Sequence, residues 1–248
     1  MKSTIKAIVT GHTHGLGSAL ALELLNRQIP VLGMARGKSD AMQSRFPGLF
    51  RHARLWLDDT EALVSWLDTP VLKAYLADCT DVLLINNAGS VQPVGSLAYQ
   101  DPVVVASAIS LNIAAPLMLS AAVVQATQGK QRRILHISSG AGSSAYPGWS
   151  VYCATKAALD HHARAVALDA QEGVLICSLA PGIIDTAMQA EIRATPDERF
   201  PMRQRFVDMQ RNGQLAAPAD AAKSIIDYLL SDTFGQKPVD DIRSAPNY

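Results

Sequence analysis

Tyr152 and Lys156 stand four residues apart in the run Tyr152-Cys153-Ala154-Thr155-Lys156, with Ser139 thirteen residues upstream. On a helix, residues four apart share a face, so the Lys156 ammonium can lie beside the Tyr152 phenol. A positive charge at that range favours phenolate and lowers a pKa that otherwise sits near ~10. A tyrosine tuned in this way can exchange a proton with a carbonyl or alcohol oxygen near neutral pH. Ser139 follows the apolar run Ile134-Leu135-His136-Ile137, and from that strand tip its hydroxyl could bond the same oxygen. Alone, the trio is a spacing that chance can place on a solvated helix face. A cofactor site is what would give it meaning.

The elements that must position the trio alternate. Short β-branched runs at 4–10, 30–35, 53–57, 82–86, 133–138, 174–180 and 237–242 read as strands. Helical patterns fall between them at 15–28, 39–46, 60–77, 102–128, 150–171 and 218–230. Near-continuous apolar strands alternating with helices predict a doubly wound, Rossmann-type α/β fold: a parallel sheet of about seven strands covered on both faces. No Pro/Gly/Ser-rich linker or repeat divides the chain, so residues 1–248 are expected to form one domain. The stretch 183–214 breaks the alternation and is rich in Arg, Met and Gln. Long insertions after a strand tip are often lids over binding sites.

The first strand runs into Thr10-Gly11-His12-Thr13-His14-Gly15-Leu16-Gly17 and then directly into a helix. Three glycines there permit a tight turn and close approach to a ligand, and the helix N-terminus suits a pyrophosphate. A tight loop would look the same, but the strand–turn–helix context favours a nucleotide. About ~20 residues beyond such a turn, a dinucleotide fold reads the ribose 2′ position. Here that residue is Arg36, with no Asp or Glu beside it. A guanidinium pairs with a 2′-phosphate, which predicts NADP(H) rather than NAD. Thr13 and His14 are candidate further phosphate contacts.

Composition narrows the partners. The chain has 248 residues and balances 22 basic against 22 acidic side chains without a dense basic block. That argues against nucleic acid or an anionic membrane surface. Three scattered cysteines without a Cys-x-x-Cys pair suit reduced thiols, and the histidines show no ligand spacing for a metal. The apolar stretch near 111–124 contains Asn112 and Pro116, which suits a buried helix better than a membrane span. A cytoplasmic protein is expected. His161-His162 is read as surface or subunit contact.

The glycine turn, Asn86-Asn87-Ala88-Gly89, Asn112, Ser139, Tyr152 and Lys156 together resemble the short-chain dehydrogenase/reductase family, in its usual order over nearly the whole chain. By that resemblance Tyr152 is the general acid/base, and Lys156 lowers its pKa and binds the nicotinamide ribose. Ser139 orients the substrate carbonyl, and Asn112 holds a relay water behind Lys156; locally, Asn112 could equally satisfy groups freed by Pro116. The resemblance puts Asn87, Ala88 and Gly89 at the fourth strand tip. It puts Pro181, Gly182, Ile184 and Thr186 at the nicotinamide end, and Asp58 or the adjacent Asp59 at the adenine. Gly148-Trp149 ahead of Tyr152, and Asp185-Thr186-Ala187-Met188-Gln189, are similar to the subgroup of sepiapterin and benzil reductases. That subgroup implies NADPH and a small-molecule carbonyl substrate, a ketone with a second oxygen on the adjacent carbon. Trp149 would wall the pocket or simply fill the core, and Asp240 falls near the position that grips a pterin. The family pairs through helices corresponding to 102–128 and 150–171, which implies a homodimer or homotetramer.

Overall fold

The computed structural model describes residues 4–244. Seven parallel strands form one sheet in the order β3-β2-β1-β4-β5-β6-β7. They are β1 (Ile5–Thr10), β2 (Val31–Ala35), β3 (Phe50–Arg54), β4 (Asp81–Asn86), β5 (Gln131–Ile137), β6 (Val174–Ala180) and β7 (Val239–Asp241). The order reverses at β1 and β4, where a crevice opens beyond the strands' carboxyl ends. In open α/β sheets this is where ligands bind.

Strand residues alternate between two apolar faces, as a period of two requires. Val9, Val31, Ile85, Leu135 and Leu179 pack beneath α1 (Gly15–Asn26) and α10 (Pro218–Leu230). Ile8, Leu32, Leu84, Ile134 and Ile176 face the other way. There they meet α3 (Thr60–Leu67), α4 (Val71–Leu76), α6 (Ala115–Ala126) and α7 (Ser150–Leu168). α2 (Asp40–Arg45) precedes β3, and α5 (Pro102–Ile109) precedes α6. Both faces are therefore dry, and function is left to the strand tips.

Several expectations shift. The apolar residues Leu55 and Leu57 suggested a strand at 53–57, but the strand is Phe50–Arg54; the two leucines are buried just past it in a cavity wall. The helix expected over 60–77 is two helices, because Pro70 has no amide to continue the first. The helix over 102–128 carries a π-helical turn at Ser110–Ala114. Pro116 cannot supply the amide that an α-helix would aim at the Asn112 carbonyl, and the Ala115 amide instead reaches back to Ser110. By length and composition 102–126 could cross a membrane, yet Ala115, Leu119 and Val123 lie in the core of the sheet's second face. His162 is not a surface residue alone: its Nδ1 lies 3.1 Å from Nε2 of buried His136.

One close approach joins the sheet to the glycine turn. The fully buried His12 ring lies over Gly33 of β2, where a β-carbon would come within 2.6 Å of Nδ1. Gly33→Ala should therefore destabilise the protein by about 1–3 kcal/mol through overpacking. Adding His12→Ser should recover most of that loss. Denaturant unfolding of the single and double variants checks it, and equal loss in both would refute the steric cause.

Candidate active site

A cavity of about 500 Å³ lies at the carboxyl ends of the strands. Nearly every residue singled out by sequence lines it: Gly11, Thr13, His14, Gly15, Leu16 and Gly17, then Arg36 and Asp58, then Asn87, Ala88 and Gly89. Ser139, Trp149, Tyr152, Lys156, Pro181, Gly182, Ile184 and Thr186 complete the same wall. Asn112 and Asp240 are not part of it.

The nucleotide half is built by locking two strand tips together. The Thr10 hydroxyl accepts from the amides of Asn87 and Ala88, each at 2.9 Å. The Asn87 side chain donates back to the Thr10 carbonyl at 3.0 Å. Gly17 is required here because a β-carbon would collide with the Gly11 carbonyl and the Asn87 amide. No side chain caps the start of α1 and no acidic residue lies in its first turn. Its positive end and free amides thus meet the cavity unanswered, which fits a pyrophosphate. Arg36 lines the cavity just past β2, exposed and without a hydrogen-bonded or ionic partner among the described residues. The two adjacent aspartates differ in their local bonds. Asp59 caps α3 by accepting from the Ala62 amide at 2.9 Å, while Asp58 lines the cavity and accepts from the Ser107 hydroxyl at 3.2 Å.

The reacting half rests on α7. Tyr152 and Lys156 are both buried on its inward face, and the Lys156 ammonium lies 5.6 Å from the centre of the Tyr152 ring. Lys156 donates to the Ile137 carbonyl at 2.7 Å. The Tyr152 phenol is not the lowered one that its lysine suggested. Burial pushes it up to about 12, opposed by a hydrogen bond with Ser139. Burial is the larger of these influences, so the phenol keeps its proton at neutral pH. Burial also lowers Lys156 to about 8, and Asp160 opposes that shift.

Asp160 is a functional residue that the sequence reading missed. It is 3% exposed, one turn past Lys156, and accepts from the Ser138 and Ser178 hydroxyls, each at 2.7 Å. A buried carboxylate is costly unless bonded and matched by charge. Here it ties α7 to the ends of β5 and β6, and it supplies the negative charge nearest in sequence to Lys156. An acid four residues after a lysine was the available signal.

The Asn112 side chain is fully engaged. Its Oδ1 accepts from the Ser90 amide at 2.9 Å, and its Nδ2 donates to the Ser90 carbonyl at 2.8 Å and to Thr155 at 3.2 Å. Asp240 accepts from the Tyr228 hydroxyl at 3.3 Å; Arg243, three residues on, lines the cavity in its place. Trp149 both walls the cavity and fills a core. Its ring stacks on Phe200 at 4.5 Å and meets Tyr152 edge-on at 5.4 Å. Phe200 and Phe206 come from the 183–214 segment, which includes α8 (Ala187–Ala194) and α9 (Arg203–Arg211). The base of that segment is pinned where Ile184 bridges Ala216.

A model of the short chain dehydrogenase family matches residues 6–197. The chain belongs to that family, whose members use a nicotinamide dinucleotide. It is an oxidoreductase acting on carbonyl or alcohol groups. The chain is 32% identical to an (S)-benzoin-forming benzil reductase of Bacillus cereus, covering 94% of this chain and 96% of that one. It is also 32% identical to the sepiapterin reductase of Bos taurus, covering 92% and 90%. A crystal structure of a short-chain dehydrogenase/reductase from Burkholderia vietnamiensis shares 46% identity, with a TM-score of 0.72 over 99% of this chain and 100% of that one.

Two outcomes follow from the buried charges. Lys156 titrates near 8 when folded against 10.5 when unfolded. Between those values the unfolded chain holds more protons, so stability gains from this group as pH rises. Tyr152, raised from 10 to about 12, reverses the trend above 10. From pH 8 to 10 the wild type should gain on Lys156→Met in denaturant unfolding; parallel curves would contradict the assignment. Asp160→Asn should lower the Lys156 pKa further and cost about 1–3 kcal/mol. The alkaline fall of its kcat/KM profile should then move to lower pH, whereas a uniform loss at all pH values would mean a purely structural role.

Proposed function

We propose that this chain is an NADPH-dependent carbonyl reductase for vicinal dicarbonyls or ketones with an adjacent oxygen. One observation carries the reading: Ser139, Tyr152 and Lys156 wall the same cavity as the glycine turn and the unpaired Arg36. The likeness to benzil and sepiapterin reductases supports the substrate class. Arg36, without an adjacent carboxylate, supports a 2′-phosphate.

Gly11, Thr13, His14, Gly15, Leu16 and Gly17 would hold the pyrophosphate, with Arg36 at the 2′-phosphate and Asp58 at the adenine. Asn87, Ala88, Gly89, Pro181, Gly182, Ile184 and Thr186 would border the nicotinamide half. NADPH bound there would supply a hydride to the ketone carbon. Ser139 orients the carbonyl oxygen, and Tyr152 gives it a proton. In the reductive direction the carbonyl oxygen gains that proton as the hydride reaches the carbon. Lys156 binds the ribose, and Asp160 keeps its charge in place. Because the Asn112 side chain is occupied, we assign the relay water to its main-chain carbonyl, which Pro116 leaves without an α-helical donor. Trp149 flattens the substrate pocket, and the 183–214 segment acts as the lid.

We further place the protein in the cytoplasm as a homodimer or homotetramer paired through α5, α6 and α7. Val103 and Ile109 of α5 are exposed and apolar, as such pairing needs.

The test is NADPH and NADH oxidation by the purified protein with vicinal diketones, pterins, quinones and simple ketones. Vicinal diketones should be reduced fastest, with NADPH preferred, and Tyr152→Phe should bind NADPH yet lose turnover. Arg36→Asp should reverse the cofactor preference; an unchanged preference would refute the 2′-phosphate role. Tight NADPH binding without turnover of any carbonyl would instead favour a non-catalytic sensor.

A further inference from the structure

The reacting end of the cavity is aromatic and apolar, with one charge that nothing in the protein answers. Arg205 of α9 lines the cavity, is exposed, and has no hydrogen-bonded or ionic partner among the described residues. Of the segment's other charges, Glu198 and Arg211 do not line the cavity, and several are engaged. Arg193 pairs with Asp185 at 3.8 Å, and Arg203 pairs with Asp197 at 3.4 Å. Arg199 lies 5.3 Å over the Tyr99 ring, and Asp208 accepts from Gln204 at 2.8 Å.

The cavity's other cations are also accounted for. Arg243 donates to Asp241 at 2.9 Å, Lys156 donates to the Ile137 carbonyl, and Arg36 lies at the nucleotide end. Among the described lining residues the one carboxylate is Asp58, and it too is at the nucleotide end, on Ser107. The reacting end thus presents a guanidinium with no internal anion.

Arg205 is also placed rather than trailing. Its neighbour Phe206 is buried, 5.4 Å from Trp149 and 5.5 Å from Phe200 between ring centres. Met209, one turn on, lines the cavity beside them. Trp149 in turn meets Tyr152 at 5.4 Å. The backbone carrying Arg205 is therefore anchored two ring contacts from the proton donor. A carbonyl at Tyr152 and an anion at Arg205 would be bridged by one flat apolar group.

We propose that Arg205 binds a carboxylate on the substrate, so that the preferred substrates are aryl or conjugated dicarbonyls carrying an acidic group. A carboxylate accepts both N–H groups of a guanidinium, giving a stronger and more directional contact than a neutral group would. The inference rests on the dicarbonyl reductase reading and adds the anion to it.

The experiment compares 1-phenylpropane-1,2-dione with its ring para-carboxylate, using NADPH, in the wild type, Arg205→Ala and Arg205→Lys. The wild type should favour the carboxylate by about tenfold or more in kcat/KM, the scale of a charge-assisted hydrogen bond. That ratio should collapse towards one in Arg205→Ala, recover in part in Arg205→Lys, and shrink with added salt. The Kd for NADPH, from fluorescence titration, should match in all three proteins. A raised Kd would assign Arg205 to the cofactor's phosphates and overturn the proposal. So would a wild-type ratio near one, or equal losses on both substrates in Arg205→Ala. If both diones are reduced without preference, the anion subsite alone fails. If neither is reduced, the dicarbonyl reading fails and the subsite with it.

Discussion

A positive charge kept out of water at Lys156 sets the terms for what surrounds it. Burying an ammonium is unfavourable unless acceptors and a counter-charge come with it. Ile137 supplies a carbonyl from the tip of β5, and Asp160 supplies the negative charge from the next turn of α7. Asp160 is itself held by Ser138 and Ser178, which stand at the ends of β5 and β6. The charge thus fixes where α7 lies across two strands, and through α7 it fixes Tyr152 against Ser139. The distance between phenol and ammonium is not the whole device, because the helix has to be pinned before that distance means anything.

The nucleotide half obeys a different constraint, which is closeness of backbone. Thr10 and Asn87 bond the tips of β1 and β4 to each other, so the turn at Gly11 and the start of α1 cannot drift from the sheet centre. Gly17 and Gly33 are empty by necessity: one leaves room for the Gly11 carbonyl and the other for the His12 ring. The result is a helix terminus with uncapped amides held rigidly at the crevice. Rigidity there costs glycines and a buried imidazole whose ring nitrogens have no hydrogen-bond partner. Burial accordingly drives His12 down to about 4, keeping it neutral.

Sequence made the sheet, the glycine turn, Arg36 and the Ser139–Tyr152–Lys156 set legible because each sits at or near a strand tip in a local pattern. Where sequence misled, burial was the hidden variable. A lysine at helical spacing argued for a lowered tyrosine pKa, yet desolvation, a property of the whole pocket, wins at Tyr152. Leu55 and Leu57 looked like strand residues because a cavity wall is as apolar as a sheet. Trp149, Phe200 and Phe206 lie up to 57 residues apart in the chain, so no spacing could announce that their rings meet. Asp240 was chosen by position in the chain, but its carboxylate turns to Tyr228, and Arg243 takes the cavity wall.

These two kinds of contact divide the cavity into parts with different freedom. The nucleotide end is made of backbone and strand-tip side chains that the sheet itself fixes, with exposed Arg36 at its edge as the replaceable part. The reacting end borrows Phe200, Phe206 and Arg205 from a segment tied to the sheet at its base, where Ile184 bridges Ala216. Exposed side chains on α8 and α9 can change without moving Tyr152, because Asp160 holds α7 from beneath. Reaction type is therefore set by the sheet and α7, and choice of substrate by the insertion that covers them.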